Sequence, residues 1–341
     1  MTPLRYGIIG AGYIARTAHF PALKPLLERG EVCIAAVCER DPEALDLAAV
    51  ELGAGGRYTD HHEMLERERL DALYVLLPPT AHTDAERLAA NRGIHLFVEK
   101  PVSLDVGQAT AFSQEIERAG IISQVGFQSR YYPSAEYLKA RLGDCLVRHA
   151  NVQLFYSGNP IRYWTSRMEL SGGSFVENTI HMVDLIRWFL GDITHASAFY
   201  VPRSEGDPER GPMNLPHAYL VNYLFEGLKA ANFTTSRCLS DVGHQRRDVS
   251  VVCENAHFEW SAQQVLENGQ VVWSTDVPGN AFALQAAAFA RAIREGNPTL
   301  CRSPYPKSLN SLDAVLAANR SADAGGRLVE VAGAGGHLTA P

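Results

Sequence analysis

No Cys-x-x-Cys pair occurs among the six cysteines of this 341-residue chain, which stand singly at 33, 38, 145, 238, 253 and 301. Scattered in this way, they read as small buried hydrophobes of a reducing compartment. Basic residues are not in excess. The formal net charge of −7 and a pI near 6.0 argue against nucleic acid or an anionic membrane as the main partner. Long apolar runs are missing too: no stretch can span a bilayer, and no charged n-region precedes an apolar h-region. A cytoplasmic protein is therefore expected. Asn232-Phe233-Thr234 and Asn319-Arg320-Ser321 match glycosylation sequons, which without a secretory signal carry no meaning. Low-complexity segments and short repeats are also lacking. What remains is a chain long enough for two domains with substantial cores.

The first apolar strand runs into Gly10-Ala11-Gly12-Tyr13-Ile14-Ala15, a Gly-x-Gly-x-x-Ala pattern followed by helix-compatible sequence to about Arg29. Gly10 suits the tight turn, Gly12 lets a pyrophosphate approach the backbone, and Ala15 allows close helix–strand packing. Phosphate charge would meet the free N–H groups and dipole of the helix N-terminus. The pattern predicts dinucleotide binding, with Tyr13 and Ile14 at the contact. A second strand, Cys33 to Cys38, ends at Glu39-Arg40-Asp41-Pro42. An acidic strand tip accepts hydrogen bonds from the ribose hydroxyls and favours NAD over its 2′-phosphorylated form. Glu39 is that candidate. Arg40 could grip a 2′-phosphate, which keeps NADP as the second choice. Asp41 is assigned to the start of the next helix.

Helices are expected near Pro42 to Leu52, at His61 to Leu65 and over Thr80 to Arg92, with a strand over Leu70 to Leu77 between the last two. A strand over Ile94 to Val98, a helix capped by Ser103 to about Ala119, and a strand over Ile121 to Val125 follow. This alternation implies right-handed βαβ units on a parallel sheet. His61-His62 is read as solvent-facing, with no third ligand nearby, and no metal is expected. Glu99-Lys100-Pro101 stands at the end of the Ile94 to Val98 strand. Proline cannot continue a central strand, so the chain leaves the sheet at its carboxyl end, where open α/β sheets bind ligands. A lysine held there can polarise a carbonyl. A cis Lys100-Pro101 bond is expected as well.

After about residue 122 the pattern becomes strand-rich. A helix ends at Leu142 and a strand covers Ala150 to Tyr156. Tyr219 to Phe225 and Lys229 to Ser236 flank Glu226-Gly227, Val249 to Glu254 and His257 to Trp260 form another hairpin, and Asn268-Gly269 marks a third turn. Helices return at Phe282 to Glu295 and Leu309 to Ala324. The expected boundaries are residues 1–121 for the dinucleotide-binding domain and 122–341 for a substrate and oligomerisation domain, its last helices packing back on the first. Within the second, Phe175 to Asp192 reads as one helix with Gly191 at its C-terminus. Glu177, His181 and Asp184 fall at i, i+4 and i+7, on one face. Such a polar stripe requires partners or a wet cavity, because unpaired burial is costly. A histidine between carboxylates is oriented and favoured in its charged form, as suits acid–base work.

Together, Gly10-Ala11-Gly12-Tyr13-Ile14-Ala15, Pro78-Pro79-Thr80-Ala81-His82, Glu99-Lys100-Pro101, Gly126-Phe127-Gln128-Ser129-Arg130-Tyr131, and Gly172-Gly173 through His181 and Asp184 resemble the Gfo/Idh/MocA oxidoreductases, relatives of glucose–fructose oxidoreductase and inositol dehydrogenase. Ala317-Ala318-Asn319-Arg320-Ser321-Ala322 resembles the family's final helix, so the likeness covers nearly the whole chain. It implies an α/β fold class: a Rossmann domain with a parallel sheet, then an α+β domain with a large, open, mostly antiparallel sheet, and the nicotinamide at their junction. It also implies hydride transfer at a hydroxyl carbon of a sugar or cyclitol, without metal. By this resemblance Lys100 is the catalytic lysine and His181 the acid–base, with Glu177 where the family often has aspartate. Asn178-Thr179 departs from a small, often glycine-containing stretch, which bears on substrate identity. Pro78, Thr80, His82, Glu99 and Lys100 would contact the cofactor. Gln128, Arg130, Tyr163, Trp164, Asn178 and Asp184 would line the substrate pocket. Two rival readings are glycoside cleavage through transient oxidation and a non-catalytic sugar or NAD sensor. Tyr219 to Phe225 carries apolar residues at both alternating sets, which predicts a homodimer or homotetramer formed through the open sheet face.

Overall fold

Short apolar runs separated by capped helices build the first part of the computed structural model, which describes residues 2–156, 163–203, 213–239 and 245–332. The strands are β1 (Leu4–Ile9), β2 (Val32–Cys38), β3 (Gly56–Tyr58), β4 (Ala72–Val75), β5 (His95–Val98) and β6 (Ser123–Val125). They form one sheet in the order β3-β2-β1-β4-β5-β6, and every pair is parallel. The order reverses between β1 and β4, the switch point at which such sheets bind ligands. Between the strands run α1 (Phe20–Glu28), α2 (Pro42–Leu52), α3 (His61–Arg67), α4 (Ala85–Asn91) and α5 (Val106–Ala119).

Caps set the helix starts. Asp41 accepts hydrogen bonds from the backbone N–H groups of Glu43 and Ala44 and so begins α2, as expected. The cap of α5 is Asp105 rather than Ser103: its carboxylate takes the N–H groups of Gly107 and Gln108, while Ser103 Oγ accepts from the Asp105 N–H. The segment expected as a helix from Thr80 divides into a 3-10 turn, Pro79–Ala81, and α4. The helix after the glycine pattern opens with a wide π turn, Ala15–His19, before α1.

The second part begins with α6 (Pro133–Leu142), β7 (Val147–Phe155), the short α7 (Met168–Ser171), a π turn Phe175–Thr179, and α8 (Ile180–Leu190). Strands β8 (Ile193–Val201), β9 (Ala218–Phe225), β10 (Lys229–Ser236), β11 (Arg246–Cys253), β12 (His257–Trp260), β13 (Gln264–Glu267) and β14 (Gln270–Ser274) follow. The chain then forms α9 (Ala281–Glu295), α10 (Tyr305–Asp323) and β15 (Val329–Glu330). A nine-stranded sheet has the order β14-β13-β12-β11-β7-β10-β9-β8-β15, parallel only between β7 and β10. The hairpins expected from their turns are present. Asn268 and Gly269 have φ of 53° and 79°, the left-handed pair of a two-residue hairpin loop.

Two compact units result. One holds the residues up to Tyr131 with Asn280–Ser308, and the other holds Tyr132–Gly279 with the chain from Leu309. In the first, Tyr74 stacks on Phe97 at 4.4 Å, and Phe289 of α9 meets both rings edge-on. In the second, Phe175 lies against Tyr219, Tyr223 and Phe233, so the inner face of β9 and β10 is filled by aromatic rings. Cys38, Cys253 and Cys301 are buried and Cys33 and Cys145 half-buried, but Cys238 is exposed, and all six are unpaired. Among the described residues no helix is long and apolar enough to cross a membrane.

Candidate active site

Gly10 has a φ of +94°, and a Cβ there would lie 2.5 Å from the Leu76 carbonyl oxygen. Only glycine fits a turn that both twists left and lies against β4's exit. Gly12 differs: nothing lies within 4 Å of where its Cβ would be, so the backbone is open to an incoming group. Tyr13 is exposed, Ile14 half-buried and Ala15 fully buried, the last as close helix–strand packing requires. Glu39, just past β2, accepts the Ala11 N–H at 2.9 Å through one carboxylate oxygen and the Asp41 N–H at 3.2 Å through the other. Its charge is thus held at the glycine turn. Arg40 beside it is exposed. An open glycine turn and an acidic tip on the neighbouring strand fit a dinucleotide whose ribose and pyrophosphate run along this edge.

The ends of β4 and β5 supply the next groups. Pro78 is half-buried and Thr80 exposed, whereas His82 is buried and pairs with the fully buried Glu86, its other ring nitrogen lying 3.2 Å from the Leu77 carbonyl. Burial pushes the His82 imidazole down, but the Glu86 carboxylate outweighs it and the net direction is upward. At the tip of β5, Glu99 is buried. One of its oxygens meets His19 Nε2 at 2.7 Å and the other accepts the Lys100 N–H at 2.9 Å. Lys100 is half-buried, and Lys100-Pro101 is cis, as expected.

After β6, Gln128 is half-buried and its Oε1 is buried without a hydrogen-bond partner among the described residues. Arg130 is buried and donates to the Arg302 carbonyl at 2.6 Å. Arg302 donates back to the Arg130 carbonyl at 2.8 Å and lies over the Tyr131 ring. His61 and His62 were read as solvent-facing, yet His61 is half-buried, their rings are 4.3 Å apart and both approach Asp84, at 2.8 and 3.5 Å. Burial raises the Asp84 carboxyl and the two imidazoles pull it lower, the net direction being downward. Asp60, His61 and His62 are the one trio of metal-ligand type brought within 4.8 Å among the described residues.

In the second unit the expected helix is continuous but begins with a π stretch. Glu177 and Asn178 belong to the π turn, and His181 lies in the first turn of α8. All three are half-buried. Asp184 is fully buried and accepts a hydrogen bond from Ser311 Oγ at 2.8 Å; Arg187 Nε in turn donates to Ser311 Oγ at 2.8 Å. Tyr163 is exposed beneath the Arg167 guanidinium, and Trp164 is half-buried. His19 and Glu86 were missed by the sequence reading. The signal available for His19 was its position nine residues past Gly10 on a turn that otherwise carries small or exposed residues.

Residues 4–127 match the oxidoreductase family with an NAD-binding Rossmann fold, and residues 139–259 match the GFO/IDH/MocA C-terminal domain. The first part of the chain is thus the cofactor domain of an NAD-binding oxidoreductase. The chain as a whole belongs to the GFO/IDH/MocA family. It is 32% identical over 167 residues to scyllo-inositol 2-dehydrogenase (NAD(+)) of Bacillus subtilis, a match covering 47% of this chain and 48% of that protein, so about half of the relative is spanned. It is 30% identical over 326 residues to D-xylose 1-dehydrogenase (NADP(+)) 2 of Haloferax volcanii, covering 92% of this chain and 96% of that one. The crystal structure of an oxidoreductase domain protein from Kribbella flavida shares the fold, with a TM-score of 0.84 at 21% identity over 97% of this chain and 100% of that one.

The His82–Glu86 pair makes a pH prediction. The folded-state value of His82 lies above its unfolded value of about 6.5, so the pair's stabilisation is fully present below that pH and is lost as pH rises through the raised value. Denaturant midpoints of wild type and His82→Gln should differ most in mildly acidic buffer and converge towards alkaline pH. A gap that widens with pH would contradict the assignment.

Proposed function

We propose that the protein is an NAD-dependent dehydrogenase or reductase acting on a hydroxyl carbon of a sugar, cyclitol or sugar derivative. One observation carries the reading: Glu99 fixes the Lys100 backbone at the carboxyl end of a strand, in the sheet whose fingerprint turn is open at Gly12. The relatives named for scyllo-inositol and D-xylose support a polyol substrate. Bound NAD would supply the hydride acceptor for oxidation at the hydroxyl-bearing carbon, and NADH the donor for reduction. Lys100 brings positive charge to the substrate oxygen. His181 receives the hydroxyl proton during oxidation and gives it back during reduction. Glu177, one turn before it, steadies the imidazolium. The orphan acceptor of Gln128 supports a ligand contact, and Tyr163, Trp164 and Asn178 are the further substrate residues in this reading. Arg130 and Asp184 hold their surroundings through buried hydrogen bonds instead. Tyr13, Ile14, Pro78 and Thr80 meet the cofactor, while His82 and Glu99 support that wall from within.

The reading includes a homodimer, or a homotetramer built from it, formed through the outer face of β8 and β9. Phe199, Val201, Leu220 and Leu224 are exposed there, and Leu220 is the cross-strand partner of Phe199. Adjacent exposed apolar side chains of this size mark association surfaces. Light scattering at micromolar concentration should report a dimer or larger, and a monomer would remove this part.

Cofactor choice is expected to follow Glu39. A carboxylate facing a 2′-phosphate repels it by about one to a few kcal/mol at short range, so NADH should bind more tightly than NADPH in fluorescence titrations. Glu39→Ala should narrow that difference; NADPH binding as tight as NADH in the wild type would show Arg40 prevailing.

Catalysis is tested with NAD against a panel of sugars, cyclitols and sugar acids, followed by NADH absorbance. Lys100→Met and His181→Asn should each lower single-turnover hydride transfer about a hundredfold or more, with NAD affinity little changed in His181→Asn. Near-normal turnover in both variants would leave the sensor reading in front. Turnover without net NADH, on a substrate with an anomeric leaving group, would favour transient oxidation.

A further inference from the structure

We propose that His19 is a positioning residue for Lys100, acting through the buried carboxylate of Glu99. The proposal rests on the reading of Lys100 as the group that meets the substrate oxygen.

The geometry is a relay through Glu99's two oxygens. His19 Nε2 stands 2.7 Å from Oε1, and the Lys100 N–H donates to Oε2 at 2.9 Å. Both His19 and Glu99 are only 3% exposed, so water cannot replace a lost partner. A buried carboxylate with one oxygen unmatched is costly, and it lowers that cost by rotating. Rotation loosens the bond to the Lys100 backbone, which sets where the lysine side chain departs from the strand.

The surroundings pack closely around the pair. The His19 ring is held edge-on by Phe97 at 5.3 Å, Phe282 at 5.4 Å and Tyr74 at 6.3 Å. On the other side a Cβ at residue 126 would stand 2.8 Å from Glu99 Oε1, so Gly126 is what allows the carboxylate to lie there. The Glu99 N–H is itself fixed, donating to the Val75 carbonyl at 2.9 Å. His19 reaches this place because it ends the wide turn that begins at Ala15, which carries its ring inward from the fingerprint. One carboxylate therefore joins the cofactor turn to the lysine.

The test uses His19→Leu, which removes the donor, and His19→Gln, whose amide nitrogen can take the Nε2 position. Glu99→Gln breaks the relay in its middle and leaves His19 intact. Folding is checked by circular dichroism, and each protein is labelled in native form with trace acetic anhydride. Mass spectrometry then gives labelling of Lys100 relative to Lys24. His19→Leu and Glu99→Gln should change this ratio severalfold, while His19→Gln stays near wild type. An unchanged ratio in folded His19→Leu and Glu99→Gln overturns the proposal, as does a His19→Gln ratio shifted as far as that of His19→Leu.

Kinetics separate this from the underlying reading. With D-xylose or scyllo-inositol as the probe, His19→Leu should lower kcat by about a hundredfold at little changed KM, the scale of a misplaced reacting group. The double variant His19→Leu/Lys100→Met should be no slower than Lys100→Met alone. Further slowing in the double variant means that His19 acts elsewhere and overturns the relay. Full activity in Lys100→Met defeats the lysine reading itself. A dead Lys100→Met beside a fully active His19→Leu defeats the positioning role alone.

Discussion

A parallel sheet covered by helices buries both faces of its strands, and that constraint decides where this chain can do chemistry. Side chains along β1, β2, β4 and β5 are almost entirely enclosed. Only the exits at the carboxyl ends remain for polar groups. Gly10, Glu39, Pro78, Lys100 and Gly126 each follow directly, or nearly so, from such an exit. Neighbouring strands bring these exits together although they are far apart in sequence. The acidic Glu39 reaches the glycine turn because β2 lies beside β1, and Lys100 joins the same edge because β5 follows β4.

The second unit meets a different requirement. Its sheet is mostly antiparallel and has one aromatic-filled face beneath α8 and α10. Tyr223 donates to the Ala314 carbonyl at 3.0 Å, and Asn310 bridges both the N–H and the carbonyl of Ile193. Those bonds explain why α10 carries asparagine and serine at buried positions: they satisfy strand groups and the Asp184 carboxylate, which would be costly to bury alone. The π turn ahead of α8 contributes to the same end. A wide turn shifts the helix phase, and of the expected stripe Glu177, His181 and Asp184 only Asp184 is fully enclosed.

Much of this was legible beforehand because it rests on local chemistry. Gly10 and Gly12, the Asp41 cap, the Asn268-Gly269 turn and the proline after Lys100 each act through their own backbone. What stayed hidden depended on partners far along the chain or on helix phase. Ser103 and Asp105 are both good caps, and only the hydrogen bonds separate them. Arg130 reads as a substrate cation until Arg302 is seen to clasp it. His82 reads as cofactor-facing, although Glu86, a turn later on α4, draws it inward. The π turns at Ala15–His19 and Phe175–Thr179 leave no mark in a 3.6-residue pattern.

The edge strand β6 shows what the interrupted first unit means during synthesis. Its outer side is sealed by residues made much later: Val125 N–H donates to the Ser303 carbonyl at 2.8 Å, Gln285 Nε2 to the Val125 carbonyl at 2.9 Å, and the Tyr305 N–H to Ser123 Oγ at 3.2 Å. Phe289, which closes the aromatic cluster over Tyr74 and Phe97, also arrives with them. On the ribosome, the cofactor-binding sheet therefore waits with an open edge and an uncapped core while the whole nine-stranded sheet except β15 is made. Exposed strand edges invite wrong pairing. The order of closure is thus the reverse of the order of emergence: the unit begun first is completed only after almost all of the other has left the tunnel.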